Sequence, residues 1–197
     1  MLDLSQTGGD TRSKIFTVAA KLFAEKGYNA VSMREISEMS GMSKPTIYYY
    51  FGSKEGIYSD LIETGINQFT KWLDDVAVLD VPVTEKLRRM AKIYFKSARE
   101  FPEYTRLFMK LNLSMEKLDF QLHYSKQKFS KNELCTELFQ EGVRTGEFRQ
   151  SLDPDIAAKI YSGVLVHYVL HYLAGDDVEI NDELGDKIVD MVVEGMR

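Results

Sequence analysis

The sequence predicts an all-α protein, with a small N-terminal head of three helices joined by a longer helix to a helical body. Three observations carry that expectation. Apolar residues recur at helical spacing along the 197 residues, and no stretch alternates long enough to read as a strand. Start and stop residues punctuate the pattern, with Ser32, Ser43 and Asp153 opening helices and Gly27, Gly41 and Gly175 closing them. Between Ser32 and Phe51 two such helices are so short that they must share one small core.

Residues 1–10 read as a frayed tail, and the first helix should run from Thr11 to Lys26 on a stripe of Ile15, Ala19, Leu22 and Phe23. Gly27 ends it, with Tyr28 folding back in the manner of a Schellman motif. Ser32 and Glu35 have the spacing of a capping box, which starts a helix carrying Met33, Ile36 and Met39 inward. Gly41 turns the chain; Ser43 then caps a second short helix with Pro45 in its first turn. This is a helix-turn-helix whose second helix offers Lys44, Thr46, Tyr49 and Tyr50 to a major groove. Helical phase puts Tyr48 with Ile47 and Phe51 on the core side. Three consecutive tyrosines on an ordinary surface helix would leave an exposed aromatic patch with no purpose. Ser53 opens a longer helix, to about Asp75, and Lys54 stands at its N-terminus, where free N–H groups and the dipole favour a DNA phosphate. The remaining helices are expected over 84–100, 102–115, 119–144, 155–174 and 182–197.

Composition narrows the class. Apolar residues make up 44 % and charged residues 28 %, as in a globular protein. The net charge of −5 argues against indiscriminate nucleic-acid binding, but it divides into +1 for residues 1–55 and −6 for the rest. Residues 1–9 lack the pattern of a signal peptide, and the most apolar stretch, 160–174, contains two histidines and three tyrosines, so no membrane partner is expected. Cys135 is the only cysteine, which suits a reducing, cytoplasmic location. His167 and His171 have metal-ligand spacing but no third ligand nearby in sequence, so no metal and no cofactor are expected. No nucleophile–base arrangement or phosphate loop is visible, so there is no catalytic residue to name and the chain is not read as an enzyme.

The segments AAKLFAEKGYNAVSM, REISEMSGMSKPTIYYYF and GSKEGIY, taken in that order, resemble the DNA-binding domain of the tetracycline-repressor (TetR) family over residues 12–63. Ser37 departs from the Ala usual there; its hydroxyl is expected to bond the carbonyl four residues back. The resemblance implies a DNA-binding domain over 11–52 and a helical effector-binding and dimerisation domain over 53–197. It implies DNA contacts from Arg34, Ser43, Lys44, Pro45, Thr46, Tyr48, Tyr49, Tyr50 and Lys54, with Tyr49 on a base and Tyr48, Tyr50 and Lys54 on the backbone. It further implies a homodimer on a palindromic operator, built from the last two long helices through Ile160, Val164, Leu165, Tyr168, Tyr172, Leu184, Ile188, Met191 and Val192. The effector implied is small and hydrophobic. Its expected walls are Phe69, Tyr94, Phe108, Leu111, Tyr124 and His167, where tyrosine and histidine can fix one polar end. The function that follows is a ligand-responsive repressor. The rival readings are a regulator without a small-molecule effector, and a helical enzyme or metal-binding protein that kept the head.

Overall fold

The computed structural model describes the backbone of residues 9–113 and 121–196, with side chains over 11–110 and 133–196. Among the described residues there are nine helices and no strand: α1 (Gly9–Lys26), α2 (Met33–Ser40), α3 (Lys44–Phe51), α4 (Lys54–Ala77), α5 (Val83–Glu100), α6 (Pro102–Leu113), α7 (Gln121–Thr145), α8 (Pro154–Ala174) and α9 (Asp182–Glu194). None is long and apolar enough to cross a membrane. The all-α expectation holds. The expected tail over 1–10 falls largely on residues outside the described ones, and α1 begins two residues earlier than Thr11.

The chain forms two compact units. The first comprises residues up to Gln68 together with Glu103–Leu113, and the second holds Phe69–Pro102 and Ser114–Arg197. In the first, Ile15, Phe16, Leu22 and Phe23 of α1 are buried, as are Ile36 of α2, Ile47 and Phe51 of α3, and Ile57, Tyr58 and Leu61 of α4. Phe16 stacks on Phe51 with centroids 5.6 Å apart, and the Arg12 guanidinium lies 5.3 and 5.4 Å from those two rings. Arg12 also donates to Asp60 at 2.8 Å, tying the start of α1 to α4.

Several local expectations are corrected. Gly27 (φ 81°) donates to the Phe23 carbonyl at 3.0 Å, the single bond of an αL cap rather than a Schellman pair. A Schellman ending would have occupied the Ala24 carbonyl; here Lys110 of α6 donates to it instead. The capping box at α2 is half formed. Ser32 Oγ accepts from Glu35 N at 3.2 Å, but the Glu35 carboxylate turns to Lys26. That hydrogen bond holds the Glu35 carboxyl below its usual pKa and the Lys26 ammonium above it. Ser37 reaches forward instead, donating to the Met42 carbonyl at 2.6 Å beyond the Gly41 turn. Met39 is half exposed, since Ile36 alone fills the inward face of so short a helix.

In the second unit α5, α7, α8 and α9 pack on one another. Its core contains Leu87, Met90 and Phe95, Leu138 and Phe139, Tyr161, Leu165 and Val169, and Ile188, Val189 and Val193. Asp153 caps α8 as its spacing predicts, accepting from Asp155 N and Ile156 N at 3.0 and 3.1 Å. The start of α5 has no such local cap, because Pro82 precedes it. Glu147 provides one from 63 and 64 residues away, accepting from Val83 N and Thr84 N at 2.7 Å each. Lys86, almost fully buried, donates to both oxygens of Glu141 at 3.0 and 3.1 Å. Gly142 is required by space, since a Cβ there would stand 2.2 Å from the Phe148 ring.

Glu147→Ala leaves two helix N–H groups of α5 without their carboxylate. It should lower stability by about 1–2 kcal/mol, read as a reduced melting temperature with helix content unchanged below the transition.

Candidate nucleic-acid interface

α3 is short because its sequence allows nothing longer. Ser43 opens it, its Oγ accepting from Thr46 N at 3.2 Å, with Pro45 in the first turn. Gly52 closes it at φ 70°, donating to the Tyr48 carbonyl at 2.8 Å. Ile47 and Phe51, one turn apart, occupy the buried stripe. What remains faces solvent: Tyr48 is 48 % exposed and Tyr49 84 %, and Tyr50 stands edge-on to Tyr49 with centroids 5.3 Å apart. Tyr48 was expected on the core side. Ile47 and Phe51 already fill that stripe, and one residue along a helix turns about 100° away from it.

The other head residues divide in two. Lys44, Pro45 and Ser43 are exposed beside the tyrosines, Thr46 is half-buried, and Ser43 and Thr46 share a hydroxyl hydrogen bond at 2.7 Å. On α2, Arg34 is exposed and its Nε donates to Glu38 at 2.7 Å, an i,i+4 pair. Lys54 is placed differently. Its ammonium is folded inward, donating to the Tyr28 and Val31 carbonyls at 2.9 Å each and lying 4.3 Å from the Tyr28 ring centroid. Burial lowers its pKa from the ordinary lysine value. Tyr28 in turn meets Tyr58 edge-on at 5.0 Å and stacks on Phe23 at 5.9 Å. The participation of Tyr28 and Val31 was not foreseen from the sequence. The only signal was a lysine opening a helix 26 residues after the tyrosine of a Gly-Tyr turn.

In the second unit Phe69 and Tyr94 meet edge-on with centroids 5.0 Å apart. Burial raises the Tyr94 phenol far above its usual pKa, with a smaller contribution from nearby Cys135, whose own thiol burial pushes up to about 11. Phe108 lies in the first unit and is half-buried. Leu111 and Tyr124 lie outside the residues whose side chains are described. His167 is exposed on α8, its ring 4.4 Å from that of His171, which pairs with Asp176. That places it on the outward face and not in an enclosed wall. Among the described residues no group of three or more His, Cys, Asp or Glu could hold a metal.

The residues expected at a dimer contact also separate. Ile160 and Met191 are 49 % and 77 % exposed, while Val164, Tyr168, Tyr172, Leu184 and Val192 are half-buried. Leu165 and Ile188 are internal, with 0 % and 5 % exposure in the single chain, because α5 covers that side of α8 and α9. Ile156, exposed one turn before Ile160, extends the outward apolar stripe and was not foreseen.

Comparison with known proteins follows the same division. Residues 15–61 match the model described as "Bacterial regulatory proteins, tetR family". The fatty acid metabolism regulator protein of Bacillus subtilis (strain 168) is 22 % identical over 184 residues, covering 93 % of this chain and 94 % of that one. Among solved structures, the ketosteroid transcriptional regulator KstR2 of Mycobacterium tuberculosis superposes with a TM-score of 0.82 at 18 % identity, covering 96 % of both chains. AibR in complex with isovaleryl coenzyme A and operator DNA gives 0.70 at 20 % identity, covering 95 % of this chain and 98 % of that one. The head carries the helix-turn-helix pattern of the tetR family of bacterial regulatory proteins over residues 15–61, and relatives similar over nearly the whole chain are regulators.

Proposed function

We propose that this protein is a homodimeric transcriptional repressor that reads a palindromic operator through α3 and is released from it by a small, mainly hydrophobic effector. The observation that carries the reading is Tyr49. A side chain so large and so exposed, flanked by two more tyrosines on a helix whose opposite face is fully committed to the core, suits insertion against base edges and phosphates. Lys44 and Arg34 supply positive charge beside it on a head whose net charge is slightly positive. Tyr49→Ala should lower affinity for an operator selected from random duplex DNA, and change the base preferred at one position of each half-site. Equal losses on selected and random DNA would show that Tyr49 does not read sequence.

A two-fold pair reads two half-sites and multiplies their discrimination. The outward stripe of α8 and α9, with Ile156, Ile160, Val164 and Met191, is the surface proposed for that pairing. Ile160→Glu should shift sedimentation from dimer to monomer and weaken the operator complex together. A wild-type monomer that binds a half-site equally well would end the reading.

For the effector, the supporting facts are the edge-on Phe69–Tyr94 pair, half-buried in the second unit, and the ligand named with AibR. An acyl chain is the hydrophobic class proposed, and a coenzyme A thioester is its first test. Isovaleryl and long-chain acyl coenzyme A, with the matching free acids and a steroid, should be compared for operator release. At least one should release it, and Phe69→Ala should blunt that response with operator affinity in its absence nearly unchanged. No release by any of them, with operator binding intact, favours a regulator without such an effector. A coupling of about 100-fold is worth roughly 3 kcal/mol, within reach of one ligand that prefers one of two states.

A further inference from the structure

Resting on the reading that α3 contacts DNA, we propose that Lys54 is a positioning residue, a staple between the two helices that flank the recognition helix, and that it supports operator binding without neutralising a phosphate. The recognition helix α3 has α2 before it and α4 after it. Lys54 is the first residue of α4, two positions beyond the Gly52 that ends α3. Its ammonium donates to the carbonyl of Val31, and the next residue, Ser32, is the N-cap of α2. One ammonium therefore ties the start of α4 directly to the start of α2, and α3 is the segment closed between them.

The site is built on three sides. The Tyr28 and Val31 carbonyls each accept at 2.9 Å, and the Tyr28 ring face lies 4.3 Å from the same nitrogen. Tyr28 is held in turn by Phe23 and Tyr58, whose rings meet edge-on at 5.1 Å. Val31 is itself buried, so its carbonyl is fixed in place. Two carbonyls accept from the ammonium and the ring quadrupole attracts it, which satisfies the lysine from within the fold. To reach a phosphate, the lysine would have to give up both carbonyl bonds and the ring contact together. The α2 residue set directly by this staple is Arg34, two positions after Ser32, so an error there moves a candidate base contact.

Three measurements test this on the full-length protein and an operator selected from random duplex DNA by the wild type. Lys54→Met keeps the stem and removes the charge. It should weaken operator binding about tenfold or more, at a temperature where the variant is fully folded, with the slope of log affinity against log salt unchanged. Tyr28→Leu retains the lysine and should show the same pattern, and the double variant should lose less than the sum of the two. Hydrogen exchange on the free protein should quicken at residues 28–35 in both variants, a readout that holds whether or not α3 is the DNA-reading element. A slope that falls by about 0.9 per head in Lys54→Met, with exchange unchanged, makes Lys54 a phosphate contact and overturns the proposal. Operator affinity left intact by both variants overturns it as well, whatever happens to the melt. If exchange quickens as expected but the wild type selects no operator, the staple stands as a structural feature and the DNA reading is what fails.

Discussion

An α-helix of eight residues closes few backbone hydrogen bonds after its nucleation cost, and in water it does not persist by itself. α3 is that long, and one side of it, with Tyr48 and Tyr49, is bare. The first unit is organised around this deficit. Ser43 and Gly52 satisfy its ends, Ile47 and Phe51 anchor its one buried stripe, and Phe51 receives Phe16 and Arg12 from α1. The helix is therefore rigid because of what holds it and not because of its own length. Every further contact in the head either supplies that core or fixes the turns on each side of it.

The second unit meets a different constraint. Its helices are long enough to hold themselves, but their ends and charges must be satisfied where local sequence does not do it. Glu147 caps α5 from 63 and 64 residues away, and Arg99 donates to the Ile180 carbonyl at 2.8 Å, just before α9. Arg88 reaches the Asp186 carbonyl at 3.0 Å and also Asp190. Tyr161, wholly buried on α8, donates to the Leu87 carbonyl at 2.7 Å on α5. Such bonds fix which helix lies against which, a choice that apolar packing leaves open, because leucine and valine stripes are nearly interchangeable.

That contrast explains what could be read in advance. Helix starts set by adjacent residues were legible, as at Ser43-Lys44-Pro45 and Asp153-Pro154, because cap and helix are neighbours in sequence. Helix phase was legible only where the stripe was wide. Tyr48 and Met39 were misplaced because a helix of eight residues offers a single pair of inward positions, and a periodicity argument cannot tell which near-neighbours share them. The partners of Glu35, Lys54 and Lys110 were not legible. Each long polar side chain has several acceptors within its reach, and only tertiary structure selects one. The same reason moved Leu165 and Ile188 inward: a helix apolar on most of its surface carries no mark separating the side that meets α5 from the side left open.

Lys110 carries a consequence for how such proteins can be recombined. It lies on α6, far along the sequence from the head, yet it closes the carbonyl that the ending of α1 leaves open. The compact unit containing the helix-turn-helix is thus discontinuous, assembled from residues up to Gln68 and from Glu103–Leu113. A chimera made by a single crossover within α4, giving this head to another member's body, would separate Lys110 from Ala24. Such a hybrid loses that bond unless α6 travels with the head or the new body offers a donor at the same place. Moving this head is then a two-segment operation. A lineage in which α1 ended in a full Schellman pair would be released from that restriction.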